Sequence, residues 1–174
     1  MLSGLVTITG NAGAMPGNQF RWGVFNAPGV PVTGVGSNYV GVWATAPAAG
    51  PATLVTANGS TANPFSGSAS TTIASARDPE GDTSQFGSAL TFGLTITRLN
   101  ATEISIAATL SNGGALLIQW PATAAPASPS SFTYDSVGFL LGGTLNASSA
   151  SFSMVEVTQS TPQTDADSDG MPDD

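Results

Sequence analysis

The residues best placed to do chemistry are carboxylates at the end of the chain. Three aspartates there stand at every second position, a glycine follows at Gly170, and a further aspartate comes three residues later. Carboxylate oxygens at positions one, three and five of a tight loop, with a backbone carbonyl at position seven, can surround a Ca²⁺ ion. Gly170 supplies the sharp turn that such a loop needs. The spacing therefore predicts a calcium loop with these ligands: Asp165, Asp167, Asp169, the backbone carbonyl of Met171, and Asp173.

This acidic loop departs from the EF-hand pattern, because the sequence stops before the twelfth position, where an EF-hand carries a bidentate glutamate. A complete coordination shell is expected to need residues beyond Asp174. The alternative is a solvated acidic end that holds no metal. Repulsion among closely spaced carboxylates keeps the segment open without metal, so calcium binding is expected to order it.

The composition limits what the rest of the chain can bind. Only 8% of its 174 residues are charged, against roughly 25% in ordinary globular proteins, and the net charge of −8 comes from 11 acids and 3 bases. Five of the acids lie in the last ten residues, so the body carries six acids against three bases, a charge of −3. A body so poor in basic groups cannot neutralise phosphates, which argues against nucleic-acid binding and against attachment to anionic membranes.

The absence of certain residue types and of certain kinds of segment narrows the class of protein further. Histidine and cysteine are both absent, which removes the commonest general base, thiol catalysis and thiolate metal sites. No run approaches the roughly 20 apolar residues needed to span a bilayer, so no membrane insertion is expected. Residues 1–4 lack the basic and apolar regions of a signal peptide, so a secreted form is expected to carry its export signal outside this sequence.

No two carboxylates are spaced as a catalytic pair. A glycosidase needs two at a set separation, and neither Glu103 with Asp135 nor Glu80 with Asp82 shows such a pattern. The run DPEGD at residues 78–82 could hold an ion or a sugar hydroxyl, but it is typical of a plain exposed turn. We therefore expect a protein that is not an enzyme.

A period of two in the hydrophobic pattern predicts β-strands. Between residues 90 and 96, large apolar side chains alternate with threonine and glycine, which sends one set inward. The alternation resumes after expected turns at 99–102 and 111–114, which predicts a three-stranded antiparallel meander. Its third strand is expected to present three large residues to one face: Leu116, Ile118 and Trp120.

Similar segments elsewhere bring the number of strands to nine or ten, and no amphipathic helix stands out. Proline-containing stretches at 46–70 and 121–131 are expected to be loops or edges. The pattern predicts an all-β, two-sheet antiparallel β-sandwich of the jelly-roll type, with the first and last strands as neighbours. We expect a β-sandwich domain over residues 1–159 and an acidic calcium-binding linker or tail over 160–174. The further strands are predicted at 5–9, 19–26, 39–45, 71–76, 133–141 and 151–158.

Two passages, NQFRWGVFN at residues 18–26 and YDSVGFLLGG at 134–143, resemble the concanavalin A-like, LamG-type sandwiches of bacterial secreted and surface proteins. In that group the late strand often carries an aspartate, a glycine and an aromatic residue in this order, as Asp135, Gly138 and Phe139 do here. The resemblance implies an extracellular jelly roll, often non-catalytic, that binds carbohydrate or forms part of a larger surface protein. No known sugar-binding motif is matched.

The acidic tail, with the pattern DxDxDGxxD at residues 165–173, is similar to the calcium repeats of the thrombospondin type 3 family. Bacteria use such repeats as linkers between a secreted domain and the part that follows. The resemblance implies a calcium-stabilised linker that works outside the cell.

Aromatic side chains are the candidate ligand-binding residues of the body. Trp22 and Trp120 are in phase with the apolar residues of their strands and are expected to be buried. Tyr39 and Trp43 flank a strand beside a long proline-rich stretch, and we predict that they form an exposed platform for a sugar ring. The alternative is that they too anchor the core.

Three functions are consistent with these patterns. The first is a non-catalytic, extracellular β-sandwich module of a bacterial surface or secreted protein, used for adhesion or glycan binding and joined to a calcium-binding linker. The second is a structural subunit of a self-assembling extracellular filament or surface layer, which would use exposed edge strands. The third is a glycan-active enzyme, which requires two carboxylates facing each other across a concave sheet.

Overall fold

Ten β-strands form the described part of the chain, in which there is no helix. The computed structural model describes residues 1–11, 19–26, 39–47, 52–60, 65, 70–76, 88–126, 133–142 and 146–159. The strands are β1 (Leu2–Asn11), β2 (Gln19–Asn26), β3 (Tyr39–Pro47), β4 (Ala52–Ser60), β5 (Ser70–Ala76), β6 (Ala89–Arg98), β7 (Glu103–Asn112), β8 (Ala115–Pro126), β9 (Ser136–Gly142) and β10 (Asn146–Val157). Within these ranges, no helix is long and apolar enough to cross a membrane.

The strands form two antiparallel sheets of five strands each, packed face to face, which confirms the predicted β-sandwich. Sheet 1 has the order β10-β1-β6-β7-β8, and sheet 2 has the order β5-β4-β3-β2-β9. The first and last strands are neighbours, as expected. The second strand likewise pairs with the second-last, so these two pairs are nested in the chain and lie in opposite sheets.

The predicted meander is present as β6, β7 and β8, and its alternation builds much of the core. Leu90, Phe92 and Leu94 are buried on β6, while the residues between them are exposed or half-buried. The hairpin from β7 to β8 turns on Gly113 and Gly114, whose φ angles are 53° and 88°. Two consecutive left-handed residues make the tight turn whose twist matches that of the flanking strands, and glycine adopts this conformation without strain.

Aromatic rings from both sheets meet at the centre of the sandwich. Trp22 of β2 lies 5.8 Å from Trp120 of β8, measured between ring centroids, and 6.1 Å from Phe92 of β6. The indole Nε1 of Trp22 donates a hydrogen bond to the carbonyl of Gly93, 3.1 Å away in the opposite sheet. Both tryptophans are buried, which confirms their expected place in the core.

One strand lies where a loop was predicted. The stretch 46–70 contains β4, Ala52–Ser60, whose Leu54 and Val55 are buried. Its prolines stand beside the strand and not within it, because Pro47 ends β3 and Pro51 precedes β4. The prediction was wrong because proline breaks a ladder only at its own position.

The other proline-rich stretch, 121–131, begins inside a strand, because β8 continues to Pro126. This strand lies at the edge of sheet 1, where a missing N–H breaks no bond to a further strand. Its pairing with β7 also shifts register between Ile106 and Ala108, next to Pro121. The expectation of an edge position is therefore confirmed for residues 121–126, and the rest of this stretch lies outside the described residues.

The predicted alternation at the start of β8 was also wrong. Leu116 is 47% exposed, whereas Leu117 and Ile118 are both buried. The register shifts between the pairs Leu110–Ile118 and Ser111–Leu116, so an extra residue enters β8 at this point. An extra residue reverses the faces of all residues before it, which is why the pattern read backwards from Trp120 fails at Leu116.

The two central tryptophans give a matched test of the core. Replacing either by phenylalanine removes the same volume, but only Trp22→Phe loses a hydrogen bond, since the buried Nε1 of Trp120 has no partner within the described residues. We expect the free energy of unfolding to fall more for Trp22→Phe than for Trp120→Phe, by about 1 kcal/mol. Urea unfolding followed by circular dichroism measures both, and equal losses would contradict the role given to the bond.

Candidate functional site

Trp43, predicted as half of an exposed platform, is buried, with 3% of its surface exposed. Its neighbours Val42 and Ala44 belong to the central core, whereas Trp43 packs in a second cluster with Phe25, Val55 and Phe65. Successive side chains of a strand point to opposite faces, so this cluster lies on the outer face of sheet 2. The expectation that the ring of Trp43 is accessible was wrong.

Glycines in neighbouring strands explain how the outer face of sheet 2 accommodates these rings. A Cβ atom on Gly41 would lie 2.2 Å from the ring of Phe25, and one on Gly23 would lie 2.6 Å from the Cβ of Trp43. Phe65 then covers the rings edge-on, with its centroid 5.0 Å from that of Phe25. The absence of side chains on these glycines thus leaves room in which large rings pack against the sheet and lose their contact with water.

Arg21 holds the covering residue in place. Its guanidinium donates a hydrogen bond to the carbonyl of Phe65, and its own side chain is half-buried. Burial lowers the pKa of Arg21 from its ordinary value, because the low-dielectric surroundings disfavour the charged form. A guanidinium in this position serves the packing of Phe65 on the aromatic cluster.

The other predicted ligand-binding residue, Tyr39, begins β3 and pairs with Ser60 of β4. The position of its side chain lies outside what the structure describes. The prediction that Tyr39 contacts a ligand therefore stays a prediction.

The predicted calcium ligands lie beyond residue 159, outside the described residues, and the calcium site stays a prediction. They are Asp165, Asp167, Asp169, Met171 and Asp173. Within the ranges that the structure describes, no group of three or more histidine, cysteine, aspartate or glutamate residues is positioned to hold a metal ion.

The titratable side chains of the described body take part in local structure. Glu103 accepts a hydrogen bond from Asn100 at 3.2 Å across the turn between β6 and β7. Asp135 accepts one from the hydroxyl of Ser136 at 2.8 Å, where β9 begins. Burial raises the pKa of Tyr134 to about 12, so its phenol stays protonated near neutral pH. These contacts position turns and strand ends.

An apolar strip on β10 was not anticipated from the sequence. Four large apolar side chains of this strand are exposed: Phe152, Met154, Val155 and Val157. β10 forms an edge of sheet 1, so it also presents backbone N–H and C=O groups on its free side. A signal was present in the sequence, because the alternation SFSMVEV changes phase where Met154 meets Val155.

A β-bulge at this point gives the strip its shape. Ser3 pairs with Glu156 and Leu5 pairs with Ser153, which leaves Met154 and Val155 opposite the single residue Gly4. Met154 takes a φ of 53° and is 78% exposed. Left-handed backbone is unfavourable for a side chain of this kind, so the bulge must be held by its surroundings.

The surroundings of the bulge are packed tightly against the core. A Cβ atom on Gly4 would lie 2.7 Å from the ring of Phe92 and 3.2 Å from the Cα of Val155. Two residues before the bulge, Phe152 packs on Phe139 of β9, with 4.4 Å between ring centroids. The strand is thus anchored on both sides of the bulge, and Met154 projects from a fixed position.

The four sheet edges differ in the features that protect an edge strand from pairing with another chain. β5 and β9 have seven residues each, and β8 contains two prolines and two register shifts. β10 has twelve residues, two register shifts, no proline, and Glu156 as its one charged residue. Short length, proline, bulges and charge are the usual protections of an edge strand. β10 is the longest edge without proline in the described sheets, and its two register shifts leave residues 149–153 between them as a regular edge.

Comparisons with known proteins identify no relative of this chain. No protein-family model, no curated protein and no solved structure matches this chain. The likenesses to LamG-type sandwiches and to thrombospondin type 3 repeats stay resemblances, carried by the residues quoted for them.

The left-handed backbone in the bulge leads to a prediction for substitutions of Met154. Met154→Gly should raise the free energy of unfolding by roughly 0.5–1 kcal/mol, because glycine relieves the left-handed backbone while little buried surface is lost. Met154→Ala is the matched control, since it removes the same exposed side chain and keeps the strain. Thermal and urea unfolding of the two variants measure the difference, and a glycine variant no more stable than the alanine variant would count against the bulge.

Proposed function

We propose that this chain is a non-catalytic binding module that acts in adhesion outside a bacterial cell, and that the strip on β10 is its contact surface. The observation that carries the proposal is the exposure of four large apolar side chains along the longest proline-free edge strand of the described sheets. A sandwich that only had to stay folded and soluble would gain by placing charges there. Apolar residues at such a place favour contact with another surface.

The strip offers two kinds of interaction to a partner. Fully burying a valine or methionine side chain stabilises a contact by about 1.5–3 kcal/mol. The free backbone groups of β10 can accept a further strand, as in other modules that bind by extending a sheet. Because Met154 projects from the bulge, it is suited to enter a recess in the partner.

Glycan binding is the other form of this proposal, and it depends on Tyr39. With Trp43 buried, a platform for a sugar ring would have to be built around Tyr39 and residues near it in the chain. The glycan proposal therefore concerns a part of the molecule different from β10, and the two forms can be separated by mutation.

Calcium belongs to the proposal as the ion of the tail. Asp165 follows the last residue of β10 by eight positions, and the donor set of the loop contains only oxygen atoms, which suits Ca²⁺. Bound calcium would neutralise carboxylates that otherwise repel one another and would stiffen the link to whatever follows.

A second candidate function is that of a structural subunit in an extracellular filament or surface layer. The observation in its favour is that the same strip lies on a long edge strand with one charged residue, which can join subunits through backbone hydrogen bonds. Assembly into polymers without any added ligand would favour this candidate over adhesion to a foreign surface.

Adhesion can be tested with exposed apolar residues as matched variants. Beads that display the chain should be retained on bacterial cells or on a glycan array, and combined Met154→Ser, Val155→Ser and Val157→Ser should reduce retention at least tenfold. Leu99→Ser with Leu116→Ser is the control, since both leucines are exposed and lie away from β10. Equal retention of the two variants, or no retention of the wild type on any surface, would refute β10 as the contact surface. Loss of retention only in Tyr39→Ala would point to glycan binding.

Calcium binding can be tested on the whole chain. Titration should release or absorb heat and protect residues 160–174 from proteolysis, while combined Asp167→Asn and Asp169→Asn should abolish both effects because the neutral amides are weaker ligands. Asp78→Asn with Asp82→Asn is the control for non-specific binding to acidic residues. A wild-type chain that shows no heat and no protection at millimolar calcium would reject the site.

A further inference from the structure

We infer that β10 pairs with β10 of a second copy of this chain, antiparallel and about a two-fold axis at Ser151, so that two copies of sheet 1 join into one continuous sheet. This inference rests on the proposed role of β10 as a contact surface, and it names the partner that the strand fits best.

The middle of β10 is the part that can accept another strand. From Ser149 to Ser153 it pairs with β1 in unbroken register, and the register shifts lie on either side of this segment. A regular segment keeps its free N–H and C=O groups in line, whereas a bulge turns them away. Five residues between two bulges therefore form a flat edge with Ser151 at its centre.

This segment is complementary to itself in the antiparallel direction. With Ser151 on the axis, Ser149 lies opposite Ser153 of the second copy, and Ala150 lies opposite Phe152. Serines at 149, 151 and 153 thus share one face, on which the hydroxyl of Ser149 already makes a hydrogen bond to that of Thr9 on β1. The hydroxyls of Ser151 and Ser153 can form hydrogen bonds across the new pair, as hydroxyl residues do in other antiparallel ladders. No other residue type has to be accommodated on that face.

The other face of the pair matches a large residue with a small one. Phe152 is 38% exposed although its ring packs on Phe139 and lies 6.3 Å from Phe20. Across the axis it meets Ala150, whose small side chain leaves room for the edge of the ring. Pairing would cover much of the remaining exposed surface of Phe152 without a clash.

Charge allows a second copy to approach despite the net charge of −8. β10 has one charged residue, Glu156, and in this register it lies opposite Asn146. The two Glu156 residues are then ten positions apart, or roughly 33 Å at strand spacing, which is several Debye lengths at physiological salt. An acidic or basic peptide would gain no ion pair from residues 146–155, whereas the neutral strand of a second copy matches them.

The two bulges also limit how tightly the two copies bind, because they limit the number of residues that can pair. Five paired residues and one covered ring in each copy make an interface well below the roughly 1,600 Å² of a standard complex. The dimer is therefore weak in solution and becomes important where many copies are held close together, as on a cell surface.

Cysteine cross-linking tests the register directly, because the chain contains no cysteine. Ser151→Cys should form a disulfide-linked dimer on mild oxidation, since a residue on the axis lies about 5 Å from its own copy. Ser149→Cys should not, because in this register its two copies are about 13 Å apart. An equimolar mixture of Ser149→Cys and Ser153→Cys should form the mixed dimer, which gel electrophoresis with a size-tagged variant resolves. Equal cross-linking of Ser149→Cys and Ser151→Cys would overturn the register.

Sedimentation of the whole chain at increasing concentration tests the dimer itself. The wild type should dimerise reversibly below about 1 mM, and Ser151→Lys should weaken dimerisation at least tenfold by placing two like charges on the axis. Thr95→Lys is the control, since Thr95 is exposed on β6 inside sheet 1. A wild type that stays monomeric, or a dimer unaffected by Ser151→Lys, refutes the pairing. If beads are still retained through β10 in that case, the contact surface stands and only the self-pairing fails.

Discussion

The sandwich depends on aromatic rings that cross from one sheet to the other. Trp22 leaves β2 in sheet 2, meets Trp120 and Phe92 of sheet 1, and donates its indole N–H to the backbone carbonyl of Gly93. Burial of large rings supplies most of the attraction, but a hydrophobic contact alone has no preferred direction. The hydrogen bond to a backbone atom adds a direction, because it fixes where β2 stands over β6.

The positions of the outer strands follow from this central contact. Phe20 stacks on Trp22 with 5.1 Å between centroids and extends the aromatic core toward Phe152 on β10. Phe139 of β9 reaches both Phe92 and Phe152. The edge strand is thus tied to the core by one ring, while its next large side chains are left outside. Contact with the core and exposure to a partner are therefore combined in a single strand.

The period of two in the hydrophobic pattern predicted well which residues are buried inside the sandwich. A strand with one buried face is recognised by little more than this alternation. β6 and β7 follow the predicted pattern throughout, and the bounds of β2 agree with the prediction residue for residue. The predictions that failed have local causes. The inserted residue in β8 reversed the face of Leu116, and Pro47 and Pro51 flank β4 without interrupting it. A period of two cannot reveal an inserted residue unless the apolar pattern itself breaks, as it does at Met154.

The candidate site was harder to predict, because exposure depends on residues distant in sequence. Trp43 is covered by Phe65 and rests where glycines leave room, and neither fact can be read from the sequence around Trp43. The strip on β10 is exposed because β10 is an edge strand, which depends on the order of strands in the sheet. Strand order depends on which distant segments of the chain pair with each other. A single sequence shows local patterns, but it does not show these pairings.

The pairing of β1 with β10 has a mechanical consequence. Leu2 lies beside Val157, and the terminal ammonium of Met1 donates to the carbonyl of Thr158 at 2.5 Å, so residues 1 and 158 lie next to each other at one end of an antiparallel pair. Tension applied between these two points would pull the strands apart at right angles to their length and break the hydrogen bonds one after another. Bonds broken singly, at about 1 kcal/mol each, resist far less force than bonds sheared together. A stretched chain would therefore peel β10 away first and yield gradually, losing the contact of Phe152 with Phe139 while Trp22 stays packed on Trp120.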